Sequence, residues 1–119
     1  MIIPRRAGPR ARSAAALPGP AAAAQAAARH LVDTTWDDSQ WVYLYLLWQR
    51  ESGWSATALN ASSGAFGIPQ SLPADKMASA GADWLTNPIT QIRWGISYIQ
   101  SRYGSPAIAW AHEESFGWY

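Results

Sequence analysis

The chain has 119 residues, enough for one domain, and contains no cysteine, which excludes a disulfide framework and a thiolate metal site. Its net charge of +1 conceals five Arg and no acidic residue in residues 1–30, against four basic and eight acidic residues from residue 31 onward. Because phosphate binding requires clustered Lys and Arg, this acidic body disfavours nucleic acid as a partner.

Residues 1–30 are first rich in Arg and then in Ala, Pro and Gly, with no aromatic residue. Since such a composition cannot build a core, we predict that these residues form a disordered arm or a weak export signal. Another alternative is that the translation start has been assigned too far upstream. Pro18 and Pro20 interrupt the apolar stretch that an export signal needs. No run approaches the roughly 18 apolar residues of a membrane span. The folded domain is predicted to cover residues 31–119.

Residues 38–51 are predicted to form the first helix, with a cap at Asp37, Asp38 or Ser39. Large apolar side chains at spacings of three and four mark one buried face: Trp41, Leu44, Tyr45 and Trp48. Others widen the apolar surface until little remains for water: Val42, Leu46 and Leu47. The pattern indicates a central helix that ends at Gly53.

Residues 54–70 are rich in Asn, Ser, Gly and Ala, a composition typical of a structured loop or short hairpin. Gly64 and Gly67 are the expected positions of positive φ or of close backbone approach. A short helix is predicted over residues 73–80, with Ser71 near its start and Gly81 at its end.

Asn87-Pro88 is a strong helix start, since Asn caps and Pro fits the first helical position. Gly104 is the expected end of this helix, and Ser105-Pro106 starts a last helix that runs to about Glu114. The apolar face of the first of these two helices follows spacings of three and four: Ile89, Ile92, Ile96, Ile99 and Tyr103.

Glu51 lies seven residues after Leu44 and three after Trp48, so on a helix it shares the buried apolar face. Desolvation there raises the pKa of a carboxyl, which can then keep its proton near neutrality and deliver it to a leaving-group oxygen. Cleavage of a glycosidic bond requires such an acid. The alternative is that Glu51 lies at a frayed helix end and pairs with one of three cations: Arg50, Arg93 or Arg102.

Three groups of motifs follow one another along the chain. Glu51-Ser52-Gly53-Trp54 is followed by Asn60 and by residues 64–70, GAFGIPQ; further on come Asn87-Pro88 with Ile92, Gly95, Tyr98 and Ile99. This order resembles the soluble lytic transglycosylases, in which a Glu-Ser pair ends a helix before a Gly-Ala-aromatic-Gly-aliphatic-x-Gln segment. Trp110-Ala111-His112 and Gly117-Trp118-Tyr119 are similar to the ends of short actinobacterial and phage-borne domains of this kind. The resemblance spans about residues 36–119.

The resemblance implies a mainly α (α+β, lysozyme-like) domain with a Gly-rich loop or short hairpin after the catalytic helix. Glu51 would be the single catalytic acid/base of a peptidoglycan lytic transglycosylase. It would protonate the bond between N-acetylmuramic acid and N-acetylglucosamine and then help the muramyl 6-hydroxyl attack, leaving a 1,6-anhydro end.

The resemblance also suggests the residues of a glycan groove. At the end of the domain, Ala111-His112 replace the Tyr-Asn of the family, so we predict that Trp110 and His112 take over the aromatic contact. The predicted substrate-binding residues are Ser52, Gly64, Phe66, Gly67, Gln70, Tyr98, Trp110 and His112.

Peptidoglycan glycan strands are thus the predicted partner of a monomer that acts outside the cytoplasm, as a secreted protein or as part of a phage tail. No cofactor is expected. A zinc site is disfavoured because His30 and His112 are the only histidines and no close pair of ligands exists.

Two alternatives remain open. A hydrolase (muramidase) usually needs a second carboxylate, about 5–5.5 Å or about 6.5–9.5 Å from the first. Of the candidates, Asp75 stands in no motif, Asp83 is interpreted as a turn or capping residue, and Glu113-Glu114 as a solvated face. The other alternative is a non-catalytic module that binds cell-wall glycan through its aromatic side chains.

Overall fold

The computed structural model describes residues 19–119. Within them four α-helices form the domain: α1 (Pro20–Thr35), α2 (Trp41–Ser52), α3 (Pro88–Arg102) and α4 (Pro106–Phe116). Short 3₁₀ turns cover Asp38–Gln40 and Ala74–Ser79. In the described part, β pairing is limited to two isolated antiparallel bridges, Leu59 with Phe66 and Phe66 with Ser71. The predicted mainly α fold, with a structured loop after the helix that carries Glu51, is confirmed.

Helix α1 begins well before the boundary predicted at residue 31. Gly19 precedes it and Pro20 occupies its first position, where the missing N–H is not needed. Ala24, Ala28 and Val32 recur every four residues and are buried against the rest of the domain. Residues 20–30 therefore contribute to the core, because Ala has the highest helix propensity and its small side chain lets helices approach closely. Residues 1–18 lie outside the described residues.

Two contacts fix α1 to its neighbours. It packs against α3 and α2, and just after its end the indole nitrogen of Trp36 donates to the carbonyl oxygen of Gly104 at 2.7 Å.

No described helix combines the length and apolar character needed to cross a membrane.

Helix α2 is the central helix, and it packs most extensively against α4. Leu44, Leu47 and Trp48 are fully buried, and the ring of Trp48 meets that of Trp54 edge-on, with centroids 5.3 Å apart. Gly53 ends the helix with φ of 61°, as predicted. The expectation that little of α2 faces water is wrong on one side, where Val42 and Leu46 are exposed because no described element covers them.

At Gly95, helix α3 contacts the Trp48 side chain of α2. A Cβ atom on Gly95 would lie 2.5 Å from Cζ2 of Trp48 and 3.1 Å from Cβ of Pro69, so only glycine permits this approach. The helix starts as predicted, with the side chain of Asn87 accepting a hydrogen bond from the backbone nitrogen of Ile89 at 2.9 Å. By contrast, Ser105 makes no side-chain cap for α4.

The long segment between α2 and α3 is held by one buried side chain of α3. Gln91 is fully buried; its Oε1 accepts from the backbone nitrogen of Ile68 at 2.9 Å. Its Nε2 donates to the carbonyl oxygens of Ala56 and Trp84, both at 3.0 Å. Gly67 is also required here, since a Cβ at this position would lie 2.6 Å from Oε1 of Gln91. These contacts fix the loop that follows Glu51.

Candidate active site

Glu51 lies in the last turn of α2 and faces a groove of about 410 Å³. One wall is the loop after α2, another is α3, and a third is the C-terminal segment. The groove is lined by Glu51, Asn60, Ser63, Ala65, Pro69, Gln70, Ser71, Leu72, Lys76, Trp94, Tyr98, Trp118 and Tyr119. Among the side chains of this lining, Glu51 is the only acidic one and Lys76 the only basic one.

The Glu51 carboxyl is half-buried, and its environment favours the neutral form. Burial raises its pKa from 4.5 to about 8, helped by a hydrogen bond to Glu113 and by the charge of that residue, while Arg50 acts in the opposite direction. The expectation of a raised pKa is confirmed. At neutral pH Glu51 therefore holds a proton that it can give to a bound substrate.

Glu113 on α4 is a second carboxyl beside Glu51, and its interpretation as part of a solvated face is wrong. Its side chain is 2% exposed, and Oε2 lies 3.4 Å from Nε of Arg50. Its Oε1 has no hydrogen-bond partner among the described residues. The carboxyl is close enough to Glu51 to raise the pKa of Glu51 through hydrogen bonding and charge. Glu113 does not line the groove. It is buried because it continues the inner face of α4 that begins with Pro106 and Ala109.

The other acidic candidates lie elsewhere. Asp75 and Glu114 are exposed and do not line the groove. Asp83 accepts hydrogen bonds from the Thr90 hydroxyl at 2.6 Å and from the Asn87 amide at 2.8 Å, as expected of a turn residue. These bonds lower the pKa of Asp83.

Tyr119 lines the groove near Glu51. Its hydroxyl donates to the carbonyl oxygen of Pro69 at 2.7 Å and accepts from the indole nitrogen of Trp48 at 2.8 Å. Burial raises the pKa of this phenol well above its usual value, so the group stays neutral. The hydroxyl of Tyr98 donates to the backbone oxygen of Tyr119 at 3.1 Å. The C-terminal segment is thereby fixed to both α2 and α3.

Aromatic side chains line the wall opposite the loop. The rings of Trp94 and Tyr98 stack at 5.1 Å with an angle of 18° between their planes. Trp118, on the C-terminal segment, is half exposed. Flat apolar faces of this kind suit the faces of sugar rings. Trp94 and Trp118 were absent from the predicted site, although Trp118 belongs to a motif that the sequence displayed.

The loop wall depends on polar side chains that organise its backbone. Asn60 accepts hydrogen bonds from the backbone nitrogens of Ser62 and Ser63, both at 3.1 Å. Gln70 has a positive φ of 57°, unusual outside glycine, and its Nε2 donates to the carbonyl oxygens of Ala58 and Gly67 at 3.0 Å. Gln70 lies in the groove lining.

Four of the predicted substrate-binding residues do not line the groove: Ser52, Gly64, Phe66 and Gly67. The hydroxyl of Ser52 donates to the carbonyl oxygen of Ile68 at 2.8 Å. Gly64 and Gly67 adopt positive φ, as predicted, and shape the loop. Phe66 meets Trp84 edge-on with centroids 6.2 Å apart. Of the predicted substrate-binding residues, only Gln70 and Tyr98 line the groove.

Trp110 and His112 do not line the groove either. Trp110 packs against the core, with the guanidinium of Arg50 over its ring at 5.9 Å. His112 hydrogen-bonds through Nδ1 to the backbone oxygen of Trp118 at 2.8 Å, and its ring contacts Phe116. Both residues therefore support the elements that carry the groove.

A family model described as "Transglycosylase SLT domain" matches residues 32–112, about two thirds of the chain. Comparison with curated proteins and with solved structures gives no match.

Proposed function

The chain belongs to the transglycosylase SLT domain family, and we propose that it cleaves peptidoglycan between N-acetylmuramic acid and N-acetylglucosamine, with Glu51 as its single acid/base. Family membership supports cleavage of peptidoglycan glycan strands in general. The observation that carries the residue assignment is the position of the half-buried Glu51 carboxyl, the only acidic side chain in a groove lined by aromatic rings. Burial raises its pKa, which supports the same role.

In the first step Glu51 donates its proton to the glycosidic oxygen as the bond from that oxygen to muramyl C1 breaks. In the second step the 6-hydroxyl oxygen of the same muramyl residue bonds to C1, and its proton passes to the Glu51 carboxylate. The products are a free N-acetylglucosamine end and a 1,6-anhydro-muramyl end. Glu51 regains its proton, and no water is consumed.

The distribution of carboxyls favours this route over hydrolysis. A water-using glycosidase places its second carboxylate about 5–9.5 Å from the first, on the opposite side of the reacting carbon. Glu113 is instead within hydrogen-bonding reach of Glu51 and outside the groove. An internal nucleophile on the substrate removes the need for a second groove carboxylate.

We further propose that the glycan strand is held by Gln70, Tyr98, Trp94 and Trp118, which line the groove. Ser52, Gly64, Gly67, Trp110 and His112 would act indirectly, by holding the loop and the C-terminal segment. The family's substrate is cell-wall peptidoglycan, which is consistent with action outside the cytoplasm. Secretion, a place in a phage tail and a monomeric state remain proposals.

The test compares wild type with Glu51→Gln on purified sacculi, with release of soluble muropeptides as the readout. Since loss of a general acid typically costs 10²–10⁴-fold in rate, we expect release to fall by at least about 100-fold. Glu114→Gln is the matched control, because Glu114 is exposed on α4 outside the groove. If neither wild type nor Glu51→Gln releases fragments but both bind sacculi, the chain is a glycan-binding module.

A further inference from the structure

Glu113 is the one buried carboxyl of the described chain that the two-step reaction does not use. We infer that Glu113 is a positioning residue that holds the proton on Glu51 in the free enzyme and draws a proton back to it in the second step. This inference rests on the proposed function of Glu51.

The first argument is that Glu113 is buried without full compensation. A carboxylate that is 2% exposed needs partners for both oxygens, since an unpaired buried charge is strongly destabilising. Oε2 of Glu113 forms an ion pair with Arg50, whose Nε lies 3.4 Å away. Oε1 has no hydrogen-bond partner among the described residues. A protonated Glu51 carboxyl nearby could donate the hydrogen bond that Oε1 of Glu113 lacks.

The second argument concerns which carboxyl carries the shared proton. Arg50 forms its ion pair with Glu113, so the negative charge is favoured on Glu113 and the proton on Glu51. Arg50 is itself held over the ring of Trp110 at 5.9 Å. Glu51 faces the groove and Glu113 does not. The proton thus lies on the carboxyl that can reach a substrate.

The other groups that face this pair leave the assignment unchanged. From the C-terminal segment, the Tyr119 phenol lies near both carboxyls and is neutral, because its pKa is raised well above the usual value. From α3, Tyr98 faces Tyr119, and burial raises the pKa of its phenol too. Lys76 lines the same groove. On α4, the neighbouring Glu114 is exposed.

The pair would act in both steps of the reaction. Once Glu51 has protonated the glycosidic oxygen, two carboxylates within hydrogen-bonding reach both carry charge, an arrangement that is unfavourable. Glu51 is then a stronger base than an isolated carboxylate. It recovers a proton from the muramyl 6-hydroxyl as the bond from that oxygen to C1 forms. Glu113 ends as it began, ionised and paired with Arg50.

The test is the pH profile of kcat/KM on soluble glycan fragments for wild type, Glu113→Gln and Arg50→Gln. The alkaline limb reports loss of the Glu51 proton. In Glu113→Gln we expect the alkaline limb to move to lower pH by about one pH unit or more, because strongly coupled carboxyls shift each other's pKa by more than about one unit. In Arg50→Gln it should move to higher pH, since a positive charge is removed. Glu114→Gln should leave it in place.

Carbon-13 titration of the side-chain carboxyls provides a second readout that needs no turnover and no variant. In wild type, Glu51 should titrate well above 4.5. A Glu51 carboxyl that titrates at its ordinary value would overturn the inference. So would an alkaline limb that stays in place in folded Glu113→Gln. The inference would also fail if the alkaline limb moved in the same direction in Glu113→Gln and in Arg50→Gln. Undiminished activity of Glu51→Gln would instead refute the proposed function, which separates the two failures.

Discussion

Replacing Gln91 by Leu should destabilise the domain far more than its modest change in volume suggests. The side chain is fully buried and bonds three backbone groups, the nitrogen of Ile68 and the carbonyl oxygens of Ala56 and Trp84. Leucine leaves all three without partners. At about 1 kcal/mol or more for each unsatisfied buried group, the loss is at least about 3 kcal/mol. This is a large part of the roughly 5–15 kcal/mol that stabilises a typical domain.

Thermal unfolding followed by circular dichroism measures this effect. For a domain of this size about 1 kcal/mol corresponds to roughly 4–8 °C, so the Gln91→Leu midpoint should fall by about 12 °C or more. Gln100→Leu is the matched control, because Gln100 is exposed on the same helix, and its midpoint should change little. Similar midpoints for the two variants would refute the reasoning that Gln91 holds the loop.

Two further predictions concern the groove. Tyr119→Phe removes the hydroxyl that links Trp48 to Pro69 and should lower the unfolding free energy by about 2 kcal/mol. Denaturant titration would show this, and an equal loss in Tyr43→Phe, at an exposed position, would contradict it. Because the pKa of Glu51 is raised from 4.5 to about 8, the folded protein binds more protons than the unfolded chain between these values, and its stability should fall as pH rises through this window. Glu51→Gln should flatten that part of the stability profile, and an unchanged slope would show that Glu51 is not the group responsible.

The position and raised pKa of Glu51 were predictable because both follow from local spacing. A carboxyl three and seven residues from buried apolar side chains lies on the same helical face, wherever the helix later packs. Gly53 and Asn87 were predictable for the same reason, since helix ends depend on residues within one turn.

The burial of Glu113 has a local signal in the sequence. Pro106, Ala109 and Glu113 are spaced by three and four and form the buried face of α4. A Glu-Glu pair is usually solvated, and that expectation outweighed the spacing. Helix α1 was missed for a related reason. A pattern of large apolar side chains does not reveal this helix, because Ala24 and Ala28 bury small side chains.

Gln91 could not have been found from spacing. It precedes Ile92 in a regular apolar pattern, and its three hydrogen bonds reach backbone groups between 7 and 35 residues away. Trp94 and Lys76 likewise enter the groove only because α3 and the 3₁₀ turn at Ala74–Ser79 fold beside the loop. Such long-range contacts depend on tertiary packing.

The chemical identity of the new ends in digested sacculi tests the central claim most directly. Glycan fragments released by wild type and analysed by mass spectrometry should carry 1,6-anhydro-muramyl ends, because in the proposed mechanism the nucleophile is the muramyl 6-hydroxyl. Glu51 is the only acidic side chain in the groove lining. Chemical reduction should leave these ends unchanged. Reducible muramyl ends, formed with uptake of water, would contradict the account and identify the chain as a hydrolase.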